Sequence, residues 1–191
     1  MQGYELNSSE LRVNFLLGCD IICIQRTTEK TANLIEGLVG KTGYWTASTD
    51  YGNQGILTIG PASVEIKEVA LIQNEYDNSQ GKRYHKFMYN NYSMIHQYGC
   101  YNPVASKDLY FDTVISEQAD FIIGDTHRPR QSDFYENYKI LNKLPTFMAE
   151  QTAVCIDWIM SKDFKLEPVK EFVPSIDSNQ TMKHYPILLT L

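Results

Sequence analysis

The 191-residue sequence predicts a layered α/β sandwich rather than a doubly wound sheet. Three patterns carry that expectation. Compact apolar runs at 20–25 and 121–125 have the composition of strands buried on both faces. Residues 64–72 alternate apolar and polar, as a half-exposed strand does. Helical stretches fall among these strands without strict βαβ alternation.

Taken in order, residues 7–17 read as a short helix: Asn7 or Ser8 can cap it, and Leu11, Phe15 and Leu16 recur at helical spacing. Gly18 suits its end. The strand at 20–25 follows, then a helix over 31–39 stopped by Gly40 and Gly43. Residues 51–58 combine turn residues with a short strand, and 74–81 read as a polar loop. The stretch 83–96 forms two extended segments broken at Asn90-Asn91. A helix over 105–118 should bury Leu109, Val114 and Ile115, and strands over 152–160 and 185–191 close the pattern. No repeat or low-complexity segment is present, so one domain over 1–191 is expected.

Composition narrows the function classes. With 43% hydrophobic and 21% charged residues the chain is an ordinary globular protein. A net charge of −6 gives no general attraction to nucleic acid or anionic membrane, so a phosphate-bearing ligand needs a local basic patch. The cysteines, Cys19, Cys23, Cys100 and Cys155, lack Cys-x-x-Cys spacing and read as buried thiols. There is no apolar leader and no run long enough to span a membrane, which makes the cytoplasm the expected compartment.

Six short signatures then fall in a recognisable order. Residues 20–25 (DIICIQ) resemble the "DIIclQE" strand of the endonuclease/exonuclease/phosphatase, or DNase I-like, superfamily. Residues 51–58 are similar to its "GNAILS" turn, 81–96 to the strand pair ending in a histidine, and 121–127 (FIIGDTH) to "iiGDfN". Residues 155–160 are similar to "riDyif", and 183–187 (KHYPI) resemble the terminal "SDHyPv". The resemblance runs from about residue 7 to the C-terminus. It implies a four-layer α/β/β/α fold, with the family's first strand, which carries a metal-site Asn, shortened or missing.

Members of the superfamily are Mg²⁺-dependent phosphodiesterases or phosphatases, in which a hard cation polarises the phosphate and neutralises developing charge. Carried over by position, Asp125 stands at the Asp of "GDxN", His184 at the terminal His and His96 at the middle His; Tyr51 and Asn53 lie in the turn near the site. Three positions depart from the pattern. Arg26 replaces the metal-binding Glu, His127 replaces the Asn of "GDxN", and Lys183 replaces the Asp that orients the terminal His. The Arg26 and Lys183 exchanges together shift the formal charge of the site by about +4. A guanidinium about 4 Å from a divalent ion is opposed by roughly 8 kcal/mol at an effective dielectric near 20, and arginine cannot lose its proton to escape this.

A degenerate member therefore leads, predicted to use no metal cofactor and to hold a nucleotide or nucleic acid phosphate with Arg26, Lys183, His127, Arg128 and Arg130. The alternative is an active phosphodiesterase with a rebuilt site of Asp125, His96, His127 and His184, supported by Mg²⁺ or Mn²⁺. A third reading is a protein-binding decoy using tyrosines 84, 89, 92, 98 and 101. Each candidate also has a plainer role: Arg26 solvated at a strand end, His96 a structural hydrogen-bonding group, His127 part of a solvated basic loop. A transition-metal site of His184, Asp125 and His96 is a further alternative, and Asp157 reads as part of a buried hydrogen-bond network.

Overall fold

Strand alternation and helix faces sort the computed structural model into four layers; it describes residues 16–47, 54–70, 81–99, 104–129, 131–142, 147–149, 152–163, 165–166, 170–171, 182–184 and 187–188. In chain order its elements begin with β1 (Ile22–Thr28), α1 (Glu29–Val39), β2 (Gly43–Ala47), β3 (Gln54–Ile59), β4 (Glu65–Ala70), β5 (Gly81–Tyr89) and β6 (Tyr92–Tyr98). They continue with α2 (Val104–Ser116), β7 (Phe121–Asp125), β8 (Phe134–Tyr135), β9 (Tyr138–Ile140), β10 (Phe147–Ala149) and β11 (Thr152–Val154). Last come β12 (Asp157–Ser161), β13 (Lys170–Glu171), β14 (Met182–His184) and β15 (Ile187–Leu188).

One antiparallel sheet has the order β1-β3-β2 and a second the order β4-β5-β6-β7-β12-β9-β8. Among the described strands of the second sheet only β6 and β7 run parallel, because α2 provides the crossover that a parallel pair requires. Short pairings β11-β10-β14 and β13-β15 complete the described strands.

Helix α1 covers the outer face of the first sheet, with Ala32, Ile35 and Val39 packed on Ile22, Leu57 and Ile59. It begins two residues earlier than expected, because Thr28 caps it by accepting the Thr31 N–H at 3.2 Å. Gly40, at φ 64°, ends it as a left-handed cap donating to the Glu36 carbonyl at 2.9 Å. Helix α2 covers the outer face of the second sheet, but not with Leu109, which is 40% exposed. The stripe that packs is Tyr110, Phe111, Val114 and Ile115, related by i+3 and i+4 steps.

Between the sheets, the third cluster joins Phe87, Met94, Phe121 and Ile159 to Ile21 and Cys23. The β5–β6 hairpin seals that end with Asn90 (φ 48°) and Asn91 (φ 67°), the two left-handed residues a tight hairpin turn demands. Burial among these side chains pushes the Cys23 thiol up to about 12.

Several expectations shift. Strand β2 was not anticipated, and the strand expected over 152–160 divides into β11 and β12. At the division, the Ile156 carbonyl accepts the Thr126 N–H at 2.8 Å and the Thr126 hydroxyl at 2.9 Å. In the expected 185–191 strand only Ile187–Leu188 is described as strand, with β14 preceding it. The expected helix over 7–17 lies outside the described residues except for Leu16 and Leu17, which are helical. No described helix is long and apolar enough to cross a membrane.

Candidate functional site

The space between the sheets changes character along its length. Alternation places Phe121, Ile123 and Asp125 of β7 on one face, and Met94, His96 and Tyr98 of β6 on the same inner side. The filling is thus apolar at the hairpin end, becomes histidine, threonine and glutamine midway, and reaches a carboxylate at the far end.

Asp125 closes β7 with its side chain only 1% exposed. It folds the chain over itself, because Oδ1 accepts the His127 N–H at 2.7 Å in an Asx-type turn. His127 sits at φ 50°, which directs its ring back so that Nε2 lies 3.6 Å from Asp125 Oδ2. The ring also lies 5.3 Å from that of Tyr98, whose strand register places it directly beside Asp125. Fully buried Lys82 adds its ammonium 4.3 Å above the Tyr98 ring. Tyr98 and Lys82 were missed as site residues, although Tyr98 lies two positions beyond His96 and must share its face.

The backbone beneath is tight. The Asp125 carbonyl accepts the Gly99 N–H at 2.6 Å and the Gln97 amide at 2.9 Å. Gly124, at φ 134°, has room for no side chain, since a Cβ would stand 1.9 Å from the Gln97 carbonyl oxygen.

Arg26 occupies a break in β1, where the register shifts between Ile24 and Thr27. Its φ of 55° marks a bulge, a device that re-aims side chains next to functional sites. The side chain is half-buried and its Nε is inaccessible to solvent, so it does not simply follow the strand into water. The preceding residue, Gln25, lies over β7: a Cβ on Gly124 would come 3.3 Å from its Nε2.

Arg128 is placed elsewhere. It pairs with Asp108 of α2, and its guanidinium stacks 4.8 Å above the Phe111 ring, at the outer helix interface. His96 is fully buried, with Nε2 2.8 Å from Gln25 Nε2 and Nδ1 2.8 Å from Thr58 Oγ1. With both nitrogens engaged it has the placement of a structural histidine, the plainer of its two roles. The sequence had also passed over His85, which pairs with His96 across the hairpin.

The remaining candidates are reached only in part. Lys183 and His184 lie in β14, opposite Met148 and Phe147 of β10, while their side chains, with Tyr51, Asn53 and Arg130, fall outside the described residues. Asp157 stands opposite Asp125 in the β7–β12 register and is buried; its carbonyl accepts the Asn142 amide at 2.7 Å. Among the described residues no group of three or more His, Cys, Asp or Glu gathers as a metal site. Of the tyrosines considered for protein contacts, Tyr84 and Tyr98 are buried, Tyr92 is 37% exposed, and Tyr101 lies outside the described residues.

An open cleft of about 520 Å³ lies at the opposite, hairpin end, lined by Asp20, Lys41, Tyr44, Pro61 and Tyr89. Its polar groups are largely spent on one another: Tyr89 donates to Asp20 at 2.9 Å, and Tyr44 to the Ala62 carbonyl at 2.9 Å. None of Arg26, Asp125 and His127 lines this cleft.

Comparison with known proteins agrees with this fold. No protein-family model matches the chain, and no curated protein matches it by sequence. Solved structures do match by shape. An endonuclease/exonuclease/phosphatase family protein from Leptotrichia buccalis C-1013-b superposes with a TM-score of 0.63 at 10% identity, over 98% of this chain and 96% of that one. A conserved protein of unknown function from Enterococcus faecalis V583 gives a TM-score of 0.66 at 12% identity, over 93% and 86%. Truncated TDP2 from Caenorhabditis elegans gives 0.52 at 14% identity, over 84% and 77%. The chain has the α/β/β/α fold of the endonuclease/exonuclease/phosphatase superfamily.

Proposed function

We propose that the chain is a degenerate endonuclease/exonuclease/phosphatase protein that binds a phosphate-bearing ligand, a nucleotide or nucleic acid, without the superfamily's Mg²⁺. Arg26 carries this reading. It stands where the resemblance calls for a metal-binding Glu, and its buried Nε on a left-handed bulge keeps a permanent positive charge at the inner end of β1. Asp125, which would serve the metal-activated chemistry, already accepts the His127 N–H and faces the His127 ring. These residues do not fit a hard divalent cation, which wants several oxygen ligands and no adjacent guanidinium. They suit an anion. Arg26 would bind phosphate through charge-assisted hydrogen bonds, with Lys183, Tyr51 and Asn53 as the further candidates that the resemblance supplies. We place the whole chain, 1–191, in one such domain in the cytoplasm.

The test is calorimetric titration of inorganic phosphate and a nucleoside monophosphate, with EDTA or with Mg²⁺. Binding unchanged by EDTA and weakened by salt is expected; a strict Mg²⁺ requirement would count decisively against the reading.

One observation favours a second reading, a rebuilt phosphodiesterase. The Asp125–His127 pair, with Nε2 and Oδ2 3.6 Å apart, has the composition of a carboxylate-oriented general base. In that case cleavage of a small phosphodiester disappears in Asp125→Ala. Absence of turnover with every divalent metal tried would dispose of it.

A further inference from the structure

Five side chains cross the gap between the two sheets in one unbroken line. Gln25 Nε2 stands 2.8 Å from His96 Nε2, and Thr58 Oγ1 stands 2.8 Å from both His96 Nδ1 and His85 Nδ1. His85 Nε2 is in turn 2.8 Å from Thr46 Oγ1. His85, His96 and Thr58 are 0% exposed. Burial holds the His85 imidazole down at about 4 and that of His96 well below its usual range, so both rings are neutral near pH 7.

Proton counting then leaves little freedom. A hydroxyl has one proton, a neutral imidazole one N–H and one lone pair, and an amide nitrogen only donates. We infer that these groups form a single polar chain whose direction is fixed by Gln25. The amide donates to His96 Nε2, His96 Nδ1–H donates to Thr58, the Thr58 hydroxyl donates to His85 Nδ1, and His85 Nε2–H donates to Thr46. The two imidazoles therefore hold opposite tautomers. Turning the Gln25 amide end for end, so that its oxygen faces His96, reverses every bond in the line together.

The consequence reaches the candidate site. Gln25 is half-buried, precedes Arg26 at the bulge and lies over Gly124, one residue before Asp125. Whichever amide atom faces His96, the other faces away. With its amide nitrogen on His96, Gln25 presents its carbonyl oxygen, an acceptor, on its far side. Gln25 is a positioning residue, and its amide orientation and the two imidazole tautomers are locked to one another.

Long-range ¹H–¹⁵N correlation of the imidazoles at pH 7 tests this, in a His127→Asn, His184→Asn background that leaves two of the four histidines. One ring protonated on Nδ1 (His96) and the other on Nε2 (His85) is expected; the same tautomer on both overturns the inference. In Gln25→Glu the carboxylate can only accept, so both tautomers should exchange. An unchanged His85 tautomer in a folded Gln25→Glu protein also overturns it. Should that variant not fold, the tautomers in the unaltered Gln25 background decide the matter. No ligand enters the measurement, so its outcome is separate from that of the phosphate-binding reading.

Discussion

Gly124 and His85 show what single residues must tolerate here. A methyl group at position 124 would meet the Gln97 carbonyl at 1.9 Å and would impose a φ of 134° on an L-residue. Gly124→Ala should therefore cost at least about 3 kcal/mol, as backbone strain and overpacking add. Urea denaturation measures this, and an unchanged midpoint would refute the geometry around Asp125. His85 makes a prediction in pH. Its folded-state value of about 4 lies below that of the unfolded chain, near 6.5, so between these values the unfolded state binds the extra proton. Stability should be full above about pH 6.5 and fall as pH drops toward 4, with roughly 3 kcal/mol at stake from His85; His96, also held low, adds to the same slope, so His85→Gln should make that part of the curve shallower without abolishing it. At this scale the sequence was informative about identity and poor about placement. Arg26, Asp125 and His127 were singled out by position in the signatures, which does not show the bulge at Arg26 or the turn that brings the His127 ring back to Asp125. A one-dimensional pattern likewise cannot show that Arg128 stacks on Phe111 or that His96 bonds to Gln25 and Thr58.

At the scale of elements, local rules worked where the signal was long or had a distinct cap. The Asn90-Asn91 turn sets the β5–β6 register, and once that turn is granted, His85 must face His96. His85 was thus legible in principle. Thr28 could likewise have been read as the cap of α1; Thr28→Ala should lose the bond to the Thr31 N–H and destabilise the protein by about 1 kcal/mol in thermal or chemical unfolding. A loss indistinguishable from zero would show that α1 is held by packing alone. The exposure of Leu109 was not legible, because two overlapping apolar stripes fit the 105–118 stretch and only the sheet decides which is buried. Strands of two or three residues, such as β8, β9 and β13, are too short to carry a period, and they exist only because neighbouring strands pair with them.

Over the whole molecule, the layers α1, first sheet, second sheet and α2 build three apolar clusters, and between the sheets the apolar filling gives way to polar and then to charged groups. That gradient puts the charged residues at the end of the sandwich away from the hairpin, whereas the open cleft of about 520 Å³ is at the hairpin itself. The order of six short signatures made this architecture legible, since each marks a strand end or turn of the same fold. The chemistry was less legible, because it depends on where a few charges point. We propose that a fixed cation, Arg26, stands where the superfamily holds a metal. Titrating inorganic phosphate into the protein in EDTA, and into Arg26→Glu alongside, tests this most directly. The account predicts metal-free binding that Arg26→Glu weakens by about tenfold or more. Binding that appears only with Mg²⁺ or Mn²⁺, and that Arg26→Glu leaves intact or strengthens, would contradict it.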